Sequence, residues 1–291
     1  MASMRDIKRR KSSIQSTGQI TKAMKLVSTV KLQRSKTVAE NSKTYFNSMY
    51  RTVQSILAKA GTINHPYVLP ARSPKKAVIM ITGNRGLAGG YNSNVVKLIT
   101  RGSFNKEDLV MYTLGKKGRE AMHRWGYELA EDYSEMIDSP DYIDAMGLCN
   151  VLINEFKSGK IGEIYLAYTG FKNTVVHEPK VIKLLPIEKS EVLEGTDGSD
   201  DSDERFVPMN FEMDETEALE LIIPKYMASI IYGGMIESVA SENGARMQAM
   251  DNATTNAEEM LGKLTLQYNR ARQGSITQEL TEIIAGSQAI S

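Results

Sequence analysis

Proline sets the first limit on this fold. All eight prolines (Pro66, Pro70, Pro74, Pro140, Pro179, Pro186, Pro208 and Pro224) lie inside the chain, so residues 1–65 and 225–291 hold none of the residue that breaks helices. Uninterrupted stretches of that length exceed the roughly 8 to 20 residues of a globular helix and point to coiled coil or helical array. The C-terminal stretch has the matching periodicity. Met247, Met250, Thr254, Ala257, Leu261, Leu264, Tyr268 and Ala271 recur at alternating spacings of three and four, a single coiled-coil seam. After Ala271 the phase slips, and Ile276, Leu280 and Ile283 resume it, a stutter-like irregularity that locally unwinds a supercoil. Upstream, Leu219, Ile223, Tyr226 and Ile230 carry the stripe past Pro224, which is expected to kink the first turns without ending them. One helix over residues 214–288 would be roughly 110 Å long.

The N-terminal stripe runs through Met4, Ile7 and Ile14, slips around Gly18, and returns at Ile20, Met24 and Val27, then at Phe46, Met49, Val53 and Ile56. That predicts a second helix of about 55 residues, near 80 Å. Neither helix buries its stripe alone, and the economical partner is the other end of the same chain, paired antiparallel. Matching residue 59 to about residue 214 sets Met4 level with about residue 269, leaving the helix from about residue 270 onward without an intramolecular partner.

Between the helices the pattern changes. Ala77 to Thr82 is a short apolar run, followed by a glycine-rich turn and a helical NSNVVKLIT; Leu109 to Leu114 and Lys117 to Arg124 repeat the alternation. Tyr142 to Phe156 reads as an amphipathic helix, Glu163 to Thr169 as a third buried strand, and Val175 to Leu185 as an edge strand or hairpin. The expected fold is α/β: a long antiparallel coiled coil of the terminal helices with an inserted small open Rossmann-like domain. Its parts are an N-terminal coiled-coil helix (1–60), an α/β domain (75–186), an acidic linker (187–213) and a C-terminal coiled-coil helix (214–291).

Composition narrows the chemistry. No apolar run reaches the roughly 18 to 20 residues of a membrane span, the N-terminus lacks a secretory core, and a helix starting at Met4 leaves no room for a cleavable presequence. The expectation is a chain not itself embedded in a membrane. The single cysteine, Cys149, forbids an internal disulfide, and His65, His123 and His177 are too scattered for a metal cluster. The net charge of +1 conceals two poles. Residues 1–60 carry 13 Lys or Arg against Asp6 and Glu40, whereas residues 188–220 carry 13 acidic residues against Lys189 and Arg205.

The loop Gly83 to Asn92 invites a phosphate-binding reading. Its glycines at 83, 86, 89 and 90 fit neither GxxxxGK[ST] nor GxGxxG, and a structural tight turn is the better account. Asp108, His123 and Asp141 are isolated, no nucleophile sits in motif spacing with a base, and Cys149 lies in an apolar helical stretch as a buried, inert thiol would. No catalytic residue, cofactor or metal is expected. Arg9, Arg10, Lys11, Lys22, Lys25 and Lys31 could track a nucleic acid, but residues 1–44 hold no aromatic for stacking, so a helix facing solvent or a protein partner is preferred.

Three motifs carry a resemblance. The run SENGARMQAMDNATTNAEEMLGKLTLQYNRARQGSITQELTEIIAGSQA (Ser241 to Ala289), the opening MRDIKRRKSSIQSTGQITKAMKLVSTVKL and the central TGNRGLAGGYN strongly resemble the gamma subunit of F-type ATP synthases of bacterial type, in the right order across nearly the whole chain. The resemblance implies a noncatalytic central-stalk rotor that couples ion flow through the membrane c-ring to rotary catalysis of ATP synthesis or hydrolysis. Implied partners are the alpha and beta subunits of the hexamer, the epsilon subunit and the c-ring, with no nucleic acid. The implied place is the cytoplasmic face of the cell membrane, peripheral through the complex. By motif, Arg272 and Gln273 match residues that meet the beta catch loop, Thr277 and Glu279 lie in the same region, and Met24 and Arg246 match positions implicated in coupling near the acidic lever of beta. Lys22 and Lys25 join them as the basic residues expected to face acidic beta surface. The acidic stretch 188–205 is longer than the family's usual connection, and Cys149 alone does not reproduce the paired-cysteine insert of plastid members. The rival readings are a coiled-coil scaffold, which leaves ITQELTEI and RARQ unexplained, and a nucleotide-dependent enzyme, which requires the glycine loop to bind phosphate.

Overall fold

The computed structural model describes residues 4–59, 65–69, 73–174, 176–187 and 215–290. Helix α1 spans Met4–Lys59, and the chain then forms β1 (Lys76–Ile81), α2 (Tyr91–Thr100), β2 (Leu109–Leu114), α3 (Lys116–Arg124), β3 (Glu128–Asp132), α4 (Tyr142–Lys157), β4 (Glu163–Phe171) and β5 (His177–Leu185). Helix α5, Glu215–Ile290, closes the chain and passes through Pro224 without ending. The acidic stretch 188–205 lies outside the described residues, as does the side chain of Ile56. By compactness the chain falls into two units, one of Met1–Thr29 with Arg246–Ser291, the other Val30–Ala245. The divisions lie inside both long helices.

The larger unit is built on a five-stranded sheet of order β3-β2-β1-β4-β5. Strands β1, β2, β3 and β4 are parallel, and β5 runs antiparallel on β4. Strand β1 shows why the sheet needs cover on both faces. Successive side chains point to opposite sides, so Ala77, Ile79 and Ile81 enter one core while Val78 and Met80 enter the other. The first core is closed by Leu148 and Leu152 of α4 and by Leu219, Ile223, Met227, Ile231 and Met235 of α5. The second is closed by Val95 and Ile99 of α2 and Met122 of α3. Helix α5 therefore serves as one of the sheet's covering layers. It holds an 18-residue window as apolar as a membrane span, and 56% of that window is buried inside the protein.

Local chemistry sets the element ends. The Asp141 carboxylate accepts from the Ile143 amide and caps α4. Gly115 joins β2 to α3 at φ 122°, where a Cβ would lie 2.1 Å from the Thr82 carbonyl oxygen, so no other residue fits. Strand β3, with sequence ELAED, was not anticipated. It is an edge strand with only Leu129 and no other apolar side chain but Ala130, so no alternating pattern marks it.

In the smaller unit, α1 and α5 run antiparallel. Thr21 and Thr254 share a 2.8 Å hydroxyl contact, Lys25 donates to Asp251 at 2.6 Å, and a Cβ on Gly18 would meet that of Ala257 at 3.4 Å. Matching the helix ends would have set Thr21 opposite about residue 252, so the observed register is shifted by about two residues. All eight positions expected for the α5 seam, Met247 to Ala271, are buried or half-buried. The α1 seam is corrected. It does not slip at Gly18 but continues through Ile14, Gly18, Thr21, Lys25 and Ser28, with Thr21 and Ser28 buried, whereas Ile20 and Val27 are 60% and 57% exposed. Small side chains let the helices approach closely, and one threonine hydroxyl donates to the other at the contact; bulkier Ile20 and Val27 are turned outward.

This close approach gives a direct test. Gly18→Ala should raise the thermal midpoint of the full chain, because alanine gains roughly 0.5–1 kcal/mol of helix propensity and its methyl meets Ala257 at ordinary contact distance. Gly18→Leu should lower stability by about 1–3 kcal/mol by wedging the helices apart. Circular dichroism melts that rank the two variants the other way would refute the seam.

Candidate functional site

The glycine-rich loop after β1 is held by two asparagines. Asn92 Oδ1 accepts from the Gly83 amide at 2.8 Å while its Nδ2 donates to the Arg85 carbonyl at 3.3 Å. Asn84 Nδ2 donates to the Ser134 carbonyl at 2.8 Å, and its Oδ1 accepts from the Lys116 amide at 3.0 Å. These bonds tie the starts of α2 and α3 to the end of β1. In open α/β sheets ligands enter the crevice at the carboxyl ends of strands where the winding reverses, which here is the gap between β1 and β4.

That crevice is filled by the chain itself. Ladder pairing of β1 with β4 stops at Met80 and Ala167. Two residues on, the Thr169 amide donates to Ser238 Oγ at 3.4 Å and the Thr169 carbonyl accepts from Ser241 Oγ at 3.3 Å, so serines of α5 stand where a strand would have continued. Glu242, only 9% exposed, presses its carboxylate on Gly83, where a Cβ would lie 2.5 Å from Oε1. Gly244 meets His177, whose Cε1 would be 2.8 Å from a Cβ there. A phosphate has no room beside Gly83, and a carboxylate already there would repel it.

Other chemistry is equally sparse. The Cys149 thiol is buried, donates to the Pro224 carbonyl at 3.3 Å and is pushed up to about 12 by burial, so it is a packing group. Among the described residues no three His, Cys, Asp or Glu side chains gather as metal ligands. A groove of about 520 Å³ between α2 and α3 is basic, with Lys97, Arg101, Lys117 and Arg124 beside Glu120 and Trp125. Its one hydroxyl near the glycine loop, Ser93, donates to the Gly90 carbonyl at 2.9 Å and has no base beside it in the groove lining.

The eight residues singled out from the sequence, Lys22, Met24, Lys25, Arg246, Arg272, Gln273, Thr277 and Glu279, all fall in the smaller unit. Met24 and Arg246 are half-buried, and Lys22 is exposed. Lys25 is already matched by Asp251 across the seam, a surface pair worth about 0–1 kcal/mol. Arg272, Gln273, Thr277 and Glu279 stand exposed on α5, with Thr277 Oγ1 donating back to the Gln273 carbonyl at 2.9 Å. Beyond Ser275 every described side chain of α5 is exposed, including Ile276, Leu280, Ile283 and Ile284 at 48%, 54%, 68% and 57%. Sequence reasoning missed the exposed apolar face of α1, formed by Ile20, Leu26, Val27 and Val30. The signal was present as two competing stripes, and only the partner helix decides between them.

The contact of α5 with His177 has a pH signature. The imidazole lies against Gly244 and Phe171, with both ring nitrogens out of water. Burial pulls its pKa below the ordinary 6.5, and the Thr174 main chain only partly counters this. Below pH 6.5 the unfolded chain takes up a proton that the folded chain resists. Stability should therefore fall as pH drops from 6.5 toward the lowered folded value, by at most about 1.4 kcal/mol per pH unit for one site. Buried His65, also lowered mainly by burial, adds in the same direction, so the measurement is the difference between the parent chain and His177→Gln. Identical denaturation midpoints against pH for the two would exclude His177 as a contributor.

Comparison with known proteins places these features. A family model described as ATP synthase matches residues 3–290. An ATP synthase gamma chain of Lachnoclostridium phytofermentans is 61% identical over 290 residues, covering 100% of each chain. A sodium ion specific ATP synthase gamma chain of Acetobacterium woodii is 39% identical over 297 residues, covering 99% of this chain and 98% of its own. Among solved structures, a chain of the Euglena gracilis mitochondrial ATP synthase in rotational state 3 aligns with a TM-score of 0.67 at 18% identity, covering 99% of this chain and 94% of its own. A second, from the rotor of that enzyme in rotational state 1, aligns at 0.66 and 16% identity, covering 94% and 98%. At these identities the structures share the fold, while the sequence relatives go further, and on their evidence the chain belongs to the ATP synthase gamma chain family.

Proposed function

We propose that this gamma chain turns as a rotor, coupling ion flow through a membrane c-ring to ATP synthesis or hydrolysis in a hexamer of alpha and beta subunits. Gamma chains are noncatalytic central-stalk subunits of the membrane-associated F1 part of ATP synthase, the catalytic sites being on beta. The observation that carries the proposal is the end of α5. Ile276, Leu280, Ile283 and Ile284 share one face of a helix that has run past its partner, and about half or more of each is in water. A stripe of that kind needs a sleeve. Small residues Ala285, Gly286 and Ser287 keep the last turns slender, which suits a shaft end turning in an apolar bearing.

In this reading Arg272 and Gln273, with Thr277 and Glu279 a turn further on, meet a beta loop at one rotary position. Met24 and Arg246 serve coupling higher on the same pair of helices. The exposed charge of Lys22 faces acidic beta surface, and Lys25 contributes through its pairing with Asp251. The domain at 75–186 is the foot, meeting the epsilon subunit and the c-ring on the cytoplasmic face of the cell membrane. The coupling ion is a property of other subunits.

The test is coexpression with alpha and beta subunits. Arg272→Ala with Gln273→Ala should leave assembly intact and lower ATP turnover or torque about three- to tenfold, the effect of losing roughly one ordinary hydrogen bond, about 0.7–1.4 kcal/mol, at a single step. Deleting Gln288 to Ser291 should be tolerated. Wild-type turnover and torque in the double variant would show that these residues do not carry the contact, and failure of the parent chain to copurify with the hexamer would sink the rotor reading.

Charge reversal at Lys22 should weaken coupling at low ionic strength and matter less as salt screens the field. Unchanged coupling at low salt would mark Lys22 as merely solvated.

A further inference from the structure

We propose that Glu242 is a positioning residue that anchors helix α5 to the α/β body, its carboxylate seated on the glycine-rich loop where this class of fold holds a phosphate. The inference begins with the loop. Four glycines in eight residues lie between a buried strand and the start of a helix, with Leu87 and Gly89 at φ 62° and 55°. Such loops let main-chain groups approach an anion closely. Here the anion comes from inside the chain. Glu242 Oε1, Cδ and Oε2 would lie 2.5, 2.6 and 2.9 Å from a Cβ on Gly83, so the carboxylate occupies the space that glycine leaves open. Burying a carboxylate is costly unless its surroundings compensate, and its position at 9% exposure therefore marks a specific seat.

The neighbouring contacts give the seat a mechanical meaning. Ser238 and Ser241, both fully buried, bond the main chain of Thr169, and Gly244 abuts His177. Two turns of α5 thus hold the carboxyl ends of β1 and β4 and the start of β5. The apolar contacts of α5 with the sheet, from Leu219 to Met235, lie upstream. They resist separation but are weakly directional. A carboxylate fixed in a loop and two serines fixed on a strand resist rotation of the helix about its own axis. Glu242 adjoins the residues of α5 that continue into the smaller unit, so twist carried along α5 reaches this anchor first.

The coupling consequence rests on the rotor reading, and the experiment separates the two. The assembled complex in membrane vesicles is assayed for ATP hydrolysis and for ATP-driven membrane potential, which does not depend on the identity of the ion. Hydrogen exchange is followed at residues 83–92 in the same complex. Glu242→Gln, which keeps the volume and removes the charge, should assemble normally and hydrolyse ATP within about twofold of the parent. It should generate at most about a third of the potential per ATP and speed exchange in the loop about tenfold. Gly83→Ala should reproduce these effects by displacing the carboxylate, and Glu242→Asp should restore them in part.

Parent-like potential and exchange in both Glu242→Gln and Gly83→Ala would overturn the proposal. So would full recovery of Gly83→Ala by a second substitution, Glu242→Ala, because space alone would then suffice. If Glu242→Gln does not assemble, exchange and potential in Gly83→Ala decide. If the parent complex itself generates no ATP-driven potential, the rotor reading fails while loop exchange still judges the anchor.

Discussion

Helix α5 holds the structure together by dividing its side chains among different partners. Leu219, Ile223, Met227, Ile231 and Met235 fill one core of the sheet, Ser238, Ser241 and Glu242 close the crevice at its carboxyl edge, and Met250, Ala257 and Leu264 form the seam with α1. Each role uses a different force: area removed from water, hydrogen bonding to unpaired strand groups, and close helix contact. Most of the stability of a helix in a protein comes from what packs on it, and up to Ser275 α5 finds such cover along its length. Where the cover ends, after Ser275, apolar side chains stand in water.

The crevice shows how a widely used fold is diverted from its widely used purpose. Strand order and crossovers create a ligand position between β1 and β4, and the loop beside it is rich in glycine. Fold alone would suggest a nucleotide there. The occupant is a segment of the same chain, which turns a binding site into a joint. This explains at once why the glycine spacing matches no phosphate motif and why the loop nevertheless needs Gly83.

Much of this was legible beforehand because periodicity and proline report on burial directly. The α5 seam from Met247 to Ala271 and the strands β1, β2 and β4 stand out as runs whose spacing fits only one kind of surface. The α1 seam departs in part from the apolar stripe because hydrophobicity is a poor proxy for burial where two helices approach closely. Thr21 and Ser28 are buried, and Gly18 half-buried against Ala257, because they are small, and Ile20 and Val27 are exposed although apolar. Strand β3 escaped notice because a charged edge strand has no buried face to impose alternation. The seat of Glu242 could not be read at all: Gly83 and Glu242 are remote in sequence, and neither is unusual alone.

The sequence by itself determined that two proline-free ends must be helices seeking partners and that the centre must be a mostly parallel sheet, since those properties follow from local backbone limits and side-chain period. Its motifs also carried the family. Tertiary structure alone decided which face of α1 meets α5, in what register, and what occupies the crevice beside Gly83. Those choices depend on the volume left between elements far apart in the chain, and volume is settled only when both sides of a contact are in place.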